Sequence, residues 1–320
     1  MSLKPFIKTF LRSQEFTAGR AILRSVFIPP LRGYFKYFPV LTGKRTAWKY
    51  LADHLWWLES RARANTFFGR TIDVDARDGC GRFIYYFGVW EPNLTAFIQS
   101  HLRHGDCFVD VGANVGYFSL LASTLVGQSG KVVSIEPVQS TFEVLTRNLD
   151  ANRAQNVRAV NMAVWDKEET LTFYISSETI IGVSTVIAAR AEKGLHDARC
   201  DVRAAPLCSL LSPDEIAAAR LIKIDVEGAE NRVIFGLGSL LESGRRDLEV
   251  VMEISIAAFD EIVFFFRKHG FFSYHMENEY SIVPYIGGNS IKKPARLEVA
   301  PDGATQVDVI FSRVDAASLP

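Results

Sequence analysis

The run Phe108-Val-Asp110-Val-Gly112-Ala-Asn114-Val-Gly116-Tyr117-Phe118 constrains this chain more than any other stretch. It reads as a buried strand, a tight glycine turn and a helix start. That is where a doubly wound sheet holds a nucleotide-like cofactor. The next apolar run, Lys131-Val-Val-Ser-Ile-Glu136, ends in an acid. A carboxylate at the tip of a second strand suits the two hydroxyls of a ribose.

The spacing narrows the cofactor. Counted from Gly112, a dinucleotide fingerprint needs glycine at positions 114 and 117, which here are Asn114 and Tyr117. Asp110 before the turn repels a pyrophosphate and attracts a cation or an amine. S-adenosylmethionine carries a sulfonium and an amino group and no phosphate, so the loop suits it better than NAD. The bland alternative is a turn whose glycines only relieve crowding.

A second strand ending in acid follows at Leu221-Ile-Lys223-Ile-Asp225-Val-Glu227-Gly228-Ala-Glu230. With it, the chain resembles the FkbM family of S-adenosylmethionine-dependent methyltransferases. The matching pieces, in the family's order, are Trp90-Glu91-Pro92, Asp110 to Gly116, Ser134-Ile-Glu136-Pro137, Asn161-Met-Ala163-Val and Ile222 to Glu230. They cover roughly residues 80 to 255. Trp90 stands where the family more often has tyrosine. The resemblance implies a class I methyltransferase fold, a hydroxyl acceptor on a sugar, glycan, lipid-linked saccharide or polyketide-like metabolite, and an antiparallel hairpin closing the sheet.

Candidate cofactor-binding residues are Glu91, Asp110, Gly112, Asn114, Gly116, Tyr117, Phe118, Glu136, Pro137, Asn161, Ala163 and Asp225. The turn Gly112 to Gly116 lets backbone approach the methionine part, and the helix start offers free N–H groups to its carboxylate. Asp110 accepts from the amino group, directly or through water. Asn114 holds a left-handed turn or bonds the ligand. Glu136 takes both ribose hydroxyls, and Pro137 shapes the adenine edge. By resemblance Asn161 and Ala163 lie near adenine; for Asn161 a satisfied loop amide is an equal alternative.

Methyl transfer to a hydroxyl needs alignment and a proton acceptor. Asp225 and Glu227 are the catalytic candidates, Asp225 being better placed at the end of a central strand. Lys223 shares its strand face. Glu230 fits a charge at a helix N-terminus better than catalysis. Asp225 and Glu253 end strands expected to be neighbours, and hard carboxylates suit Mg²⁺. No third ligand is evident, so a divalent metal is an option and not an expectation. Ser184 and Thr185 are weaker candidates for the acceptor pocket, and His275 reads as structural.

The alternation after residue 100 predicts strands near 107–111, 131–135, 157–164, 221–225 and 248–254, and helices near 115–126, 139–152, 228–242 and 258–269. That is an α/β chain with a doubly wound, Rossmann-like, mostly parallel sheet. Glu91 to His104 reads as a helix, Arg82 to Phe87 as a hairpin strand, and 194–204 as loop leading into a short strand. Phe271 to Tyr274 and Gln306 to Phe311 are closing strands. Residues 1–75 form a basic, aromatic, mainly helical extension, and 76–320 the methyltransferase domain.

The 36 basic and 36 acidic residues cancel overall, but residues 1 to 70 hold thirteen Lys or Arg and three Asp or Glu. That segment carries +10 and the remainder −10, which points to an anionic partner for the extension. Its aromatics fit a peripheral membrane contact, and fit better a helical cap packed on the domain. Four cysteines without a C-x-x-C pair support neither zinc nor redox motifs. Free core cysteines, no spanning apolar run and no signal-peptide core predict a cytoplasmic protein, with membrane association on the cytoplasmic face as an option. A nicotinamide-dependent oxidoreductase and a non-catalytic scaffold acting through the extension are the alternatives. Nucleic acid is disfavoured by the acidic domain. Acceptor and oligomeric state are not encoded in any motif.

Overall fold

The computed structural model describes residues 17–38, 43–51, 61–175, 184–185, 198–226, 228–278, 281–286 and 291–319. Two helices come first, α1 (Thr17–Tyr37) and α2 (Lys44–Tyr50). An antiparallel pair follows, β1 (Arg61–Asn65) and β2 (Thr71–Asp75), where the sequence pattern predicts helix to about residue 70. The strict buried–exposed alternation of Arg61-Ala-Arg-Ala-Asn65 is the period of a half-buried strand. The boundary expected at 75/76 falls between β2 and the next helix.

That helix, α3 (Gly79–Phe87), corrects the hairpin strand expected at Arg82 to Phe87. The aromatic run has strand propensity. However, the Asp78 carboxylate accepts from the Gly81 N–H at 3.1 Å and caps a helix, and Gly88, at φ 76°, closes it. Phe83 through Phe87 are all buried, so nothing favours an alternating strand. Helix α4 (Pro92–His101) lies within the predicted range.

The core then alternates as expected: β3 (Cys107–Val111), α5 (Tyr117–Val126), β4 (Lys131–Ile135), α6 (Gln139–Ala151) and β5 (Val157–Val160). The strand expected over 157–164 stops at 160 because the Asn161 carboxamide donates to the carbonyls of Glu136 and Pro137, at 2.9 and 3.0 Å. Beyond that bend β6 (Ala163–Val164) joins a second sheet with β7 (Glu169–Ile175), β8 (Ser184–Thr185) and β9 (Ala198–Ala205), in the order β6-β9-β7-β8. β9 occupies most of the region predicted as loop. Helix α7 (Pro213–Ala218) carries a full capping box between Ser212 and Glu215.

The chain returns through β10 (Ala219–Ile224). The single helix expected over 228–242 is two, α8 (Glu230–Phe235) and α9 (Gly238–Ser243). A Cβ at Gly236 would lie 2.3 Å from the Trp165 carbonyl oxygen, so the break marks a close backbone approach. β11 (Glu249–Ser255), α10 (Phe259–Lys268), β12 (Phe272–Met276), β13 (Ala295–Arg296) and β14 (Gln306–Ser312) complete the fold.

The main sheet runs β13-β12-β14-β11-β10-β3-β4-β5. β11, β10, β3, β4 and β5 are parallel, and β14 and β12 add the antiparallel closing pair. This is the doubly wound, Rossmann-like sheet read from the pattern. Alternate residues feed two core layers: Phe108, Val132, Leu221 and Val251 on one face, Val109, Val133, Ile222 and Val250 on the other. β3 has β4 on one side and β10 on the other, so the chain reverses direction across the sheet there. The carboxyl ends of β3 and β10 therefore open a crevice. No helix among the described residues is long and apolar enough to cross a membrane.

Candidate active site

Glycine is required where the crevice begins. Gly112 follows β3 at φ 76°, and a Cβ there would sit 2.0 Å from the Asp225 carbonyl oxygen. The loops after β3 and β10 thus touch, joined by the Asp225 N–H donating to the Val111 carbonyl at 3.0 Å. Gly112 and Ala113 donate to the Ile135 carbonyl, which ties the turn to β4. Asn114 holds the left-handed conformation at φ 50°, one of the two roles expected of it. Gly116, at φ 91°, starts α5 against Leu145.

The Glu136 carboxylate is buried at the tip of β4. One oxygen accepts from the Asn114 N–H at 2.9 Å and the other from the Val138 N–H at 3.1 Å. Each oxygen keeps a lone pair for a further donor. Burial pushes its pKa up to about 7, against the pull of those two N–H groups.

Asp110 is fully buried behind the turn and does not line the crevice. Its Oδ2 accepts from the Ser119 hydroxyl at 2.6 Å, and Ser119 in turn accepts from Ser134 at 2.8 Å. Its Oδ1 faces the Lys223 ammonium at 3.8 Å. Burial raises the Asp110 pKa, and Lys223 and Ser119 oppose the rise. Lys223, also buried, donates from Nζ to Asp225 Oδ2 at 3.1 Å. Burial works against its charge, yet Asp225, Asp110 and Glu91 together hold its pKa above the lysine range. Lys223 thus links the acid behind the turn to the acid in the crevice.

The crevice, about 350 Å³, is lined by Glu91, Gly112, Asn114, Tyr117, Phe118, Glu136, Pro137, Ala163 and Asp225 among the expected residues. Asp110, Gly116 and Asn161 stand outside it. The Asn161 carboxamide is spent on the Glu136 and Pro137 carbonyls, the loop-amide alternative. Glu227 lies outside the described residues, as do 181–183; of Ser184 and Thr185 the structure describes the backbone, in β8. Glu230 accepts from the Gly228 N–H at 2.8 Å and so serves its own helix start. His275 sits within β12, paired with Val309.

Along the sheet the acids fall in order. Beyond Glu136 after β4 and Gly112 after β3 come Asp225 after β10, Glu253 on β11 and Asp308 on β14, with Glu253 and Asp308 paired in register. Glu91 adds a further carboxyl, in a left-handed residue at φ 42° whose N–H donates to the Tyr285 hydroxyl. Burial raises the Glu91 pKa well above the carboxylate range, helped by Asp308 and Asp225, and burial pushes Asp308 up to about 7. Asp308 is not among the expected site residues; its signal in the sequence is an acid inside the apolar alternation Gln306-Val-Asp-Val-Ile-Phe311. Trp165, just after β6, and Leu171 and Phe173 on β7 add apolar lining that no sequence motif marks. Among the described residues no group of three or more His, Cys, Asp and Glu could hold a metal ion.

The residues fit S-adenosylmethionine. Glu136 offers paired acceptors in the crevice, and Asn114 Oδ1 is a buried acceptor in the lining with no hydrogen-bond partner among the described residues.

The family model described as the methyltransferase FkbM domain matches residues 110–273. The 31-O-demethyl-FK506 methyltransferase FkbM of Streptomyces tacrolimicus is 31% identical over 53% of this chain and 74% of that protein. Methyltransferase 1 of Beauveria bassiana is 29% identical over 40% of this chain and 57% of its own length. The crystal structure of methyltransferase FkbM from Methylobacillus flagellatus aligns with a TM-score of 0.38 at 15% identity, covering 73% of this chain and 52% of that one. With more than half of its 320 residues matched by the family model, the chain belongs to the FkbM family of S-adenosylmethionine-dependent methyltransferases.

Proposed function

We propose that the chain methylates a hydroxyl oxygen on a polyhydroxylated acceptor: a sugar, a glycan, a lipid-linked saccharide or a related metabolite. The observation that carries this reading is the set of carboxyl groups that line the crevice beyond Glu136: Asp225 after β10, Glu253 on β11, and Glu91. Carboxylates accept from hydroxyl donors, and a protonated carboxyl also donates. Burial raises the Glu91 carboxyl above the usual carboxylate range, which favours its donating form beside the Asp225 acceptor.

Bound S-adenosylmethionine supplies an electrophilic methyl group. The chain's own residues do the rest. Glu136 accepts from the ribose hydroxyls, and Gly112 with Asn114 receives the methionine part. Asp110 acts through Lys223 and holds its ammonium in place. Lys223 occupies Asp225 Oδ2. That leaves Asp225 Oδ1 to accept the acceptor's hydroxyl proton as the oxygen attacks. Glu253, also in the lining, orients a further hydroxyl.

The test pairs wild type with Asp225→Asn, using S-adenosylmethionine and a panel of polyhydroxylated acceptors. S-adenosylhomocysteine release is followed, and the methylated atom is located by mass spectrometry and NMR. Wild type should yield an O-methyl product. Asp225→Asn should lose about 10²–10⁴-fold in kcat while binding S-adenosylmethionine within a few-fold of wild type. Full activity in Asp225→Asn, with loss in Glu227→Gln, would move the base to Glu227. A methyl group found on nitrogen would overturn the hydroxyl acceptor.

A further inference from the structure

The N-terminal helices are not explained by methyl transfer. Their inward side is well defined. Ile28, Arg32 and Phe35, at i, i+4 and i+7, form one stripe of α1. Ile28 and Phe35 are buried, and Arg32 donates from Nε to the Tyr85 carbonyl at 3.1 Å with its guanidinium 3.9 Å from the Tyr85 ring centroid. On α2, Lys44 is buried and donates to the Phe35 carbonyl at 3.0 Å. Trp48 packs within 6 Å of the rings of Phe35, Phe83, Tyr86 and Phe87. The helical cap expected from the sequence is therefore real at these positions.

The same helices leave large apolar groups outside. Val26, Phe27 and Phe38 are each at least half exposed, and Pro29 and Pro30 are exposed beside them. Arg45 and Lys49 are exposed on α2. Across residues 17–38 and 43–51 there are seven Lys or Arg and no Asp or Glu, while residues 71–320 carry −10. Such a dipolar chain turns its basic end toward an anionic surface and its acidic body away.

We propose that the outer face of α1 and α2 docks on an anionic lipid surface. Phe27, Val26 and Phe38 enter the headgroup boundary, and Arg45 and Lys49 meet lipid phosphates. Exposed phenylalanine and valine among bases favour lipid over a purely polar polyanion, because only lipid removes that apolar surface from water. A run of three packed rings leads from the inner side of the cap to the crevice. Trp48 meets Phe83 at 5.1 Å, Phe83 meets Trp90 at 5.8 Å, and Trp90 lines the crevice. Docking would hold the crevice near a membrane-borne acceptor, but it stands whatever the acceptor is.

The test is co-sedimentation of the full chain with vesicles of phosphatidylcholine alone and of phosphatidylcholine mixed with phosphatidylglycerol. Phe27→Ser/Phe38→Ser and Arg45→Glu/Lys49→Glu are compared with wild type, their folding checked by melting temperature and S-adenosylmethionine binding. Wild type should bind the anionic vesicles, and each double variant should lose about tenfold or more in partitioning. Absence of binding to anionic vesicles, or binding unchanged in both variants, would overturn the proposal. So would salt-sensitive binding of an oligonucleotide lost in the same variants with vesicles ignored, or a wild-type dimer that Phe27→Ser/Phe38→Ser dissolves.

Discussion

Glu136 is held by two N–H groups and by burial, and these pull in opposite directions. Its pKa rises from 4.5 to about 7 on folding. A carboxyl raised in this way contributes stability that is present below the unfolded value and lost as pH rises through the folded one. The ligand-free protein should therefore lose stability at Glu136 between about pH 4.5 and 7. Glu136→Gln should flatten this slope, becoming more stable relative to wild type at pH 8 than at pH 5 by about 2–3 kcal/mol. Urea denaturation at the two pH values checks it; parallel curves would contradict the assignment. Cofactor binding should run the other way and tighten as the carboxylate ionises. At Gly112, an added methyl meets the Asp225 carbonyl in a left-handed residue. Gly112→Ala should cost about 2–5 kcal/mol and weaken cofactor binding, measured by denaturation and titration.

Helix α6 fastens the β1–β2 pair through two asparagines one turn apart. Asn148 accepts from the Asp73 N–H at 2.8 Å and donates to the carbonyls of Asp73 and Val115, while Asn152 pairs with the N–H and carbonyl of Thr71. Each carboxamide imitates a strand neighbour at an edge. Asn148 is almost fully buried, so Asn148→Leu should destabilise by about 2–4 kcal/mol. Because Val115 belongs to the cofactor turn, affinity should fall too; unchanged stability by thermal melting would contradict the account. Elements with a clean period were legible in the sequence. β3, β4, α6 and α10 lie within a residue or two of expectation because each buries one face against a regular neighbour. Others were set by distant partners: α3 by its Asp78 cap and all-round burial, the end of β5 by Asn161, and the break after α8 by Trp165. In the site, Glu136 and Gly112 were legible because strand-end position alone gives them their place. The placement of Asp110 behind Lys223, and the alignment of Asp308 with Glu253, depend on pairing between strands far apart in sequence.

Across the described residues a mostly parallel sheet lies between two core layers, with an aromatic helical cap against one of them. Trp48, partly buried, packs against four rings there, and Trp48→Ala should destabilise by about 2–3 kcal/mol. Affinity for S-adenosylmethionine should stay within a few-fold, since Trp48 does not line the crevice; a large loss of affinity in a folded variant would show that the cap shapes the site. The central claim is that the carboxyl ends of β3 and β4 bind S-adenosylmethionine through Glu136. Calorimetric titration with S-adenosylmethionine and S-adenosylhomocysteine, using wild type and Glu136→Ala, tests it most directly. The account predicts that wild type binds both ligands and that the folded variant is weaker by about 1.5–3 kcal/mol, roughly ten- to a hundred-fold. Folded wild type binding neither ligand, or Glu136→Ala binding as tightly as wild type, would contradict it.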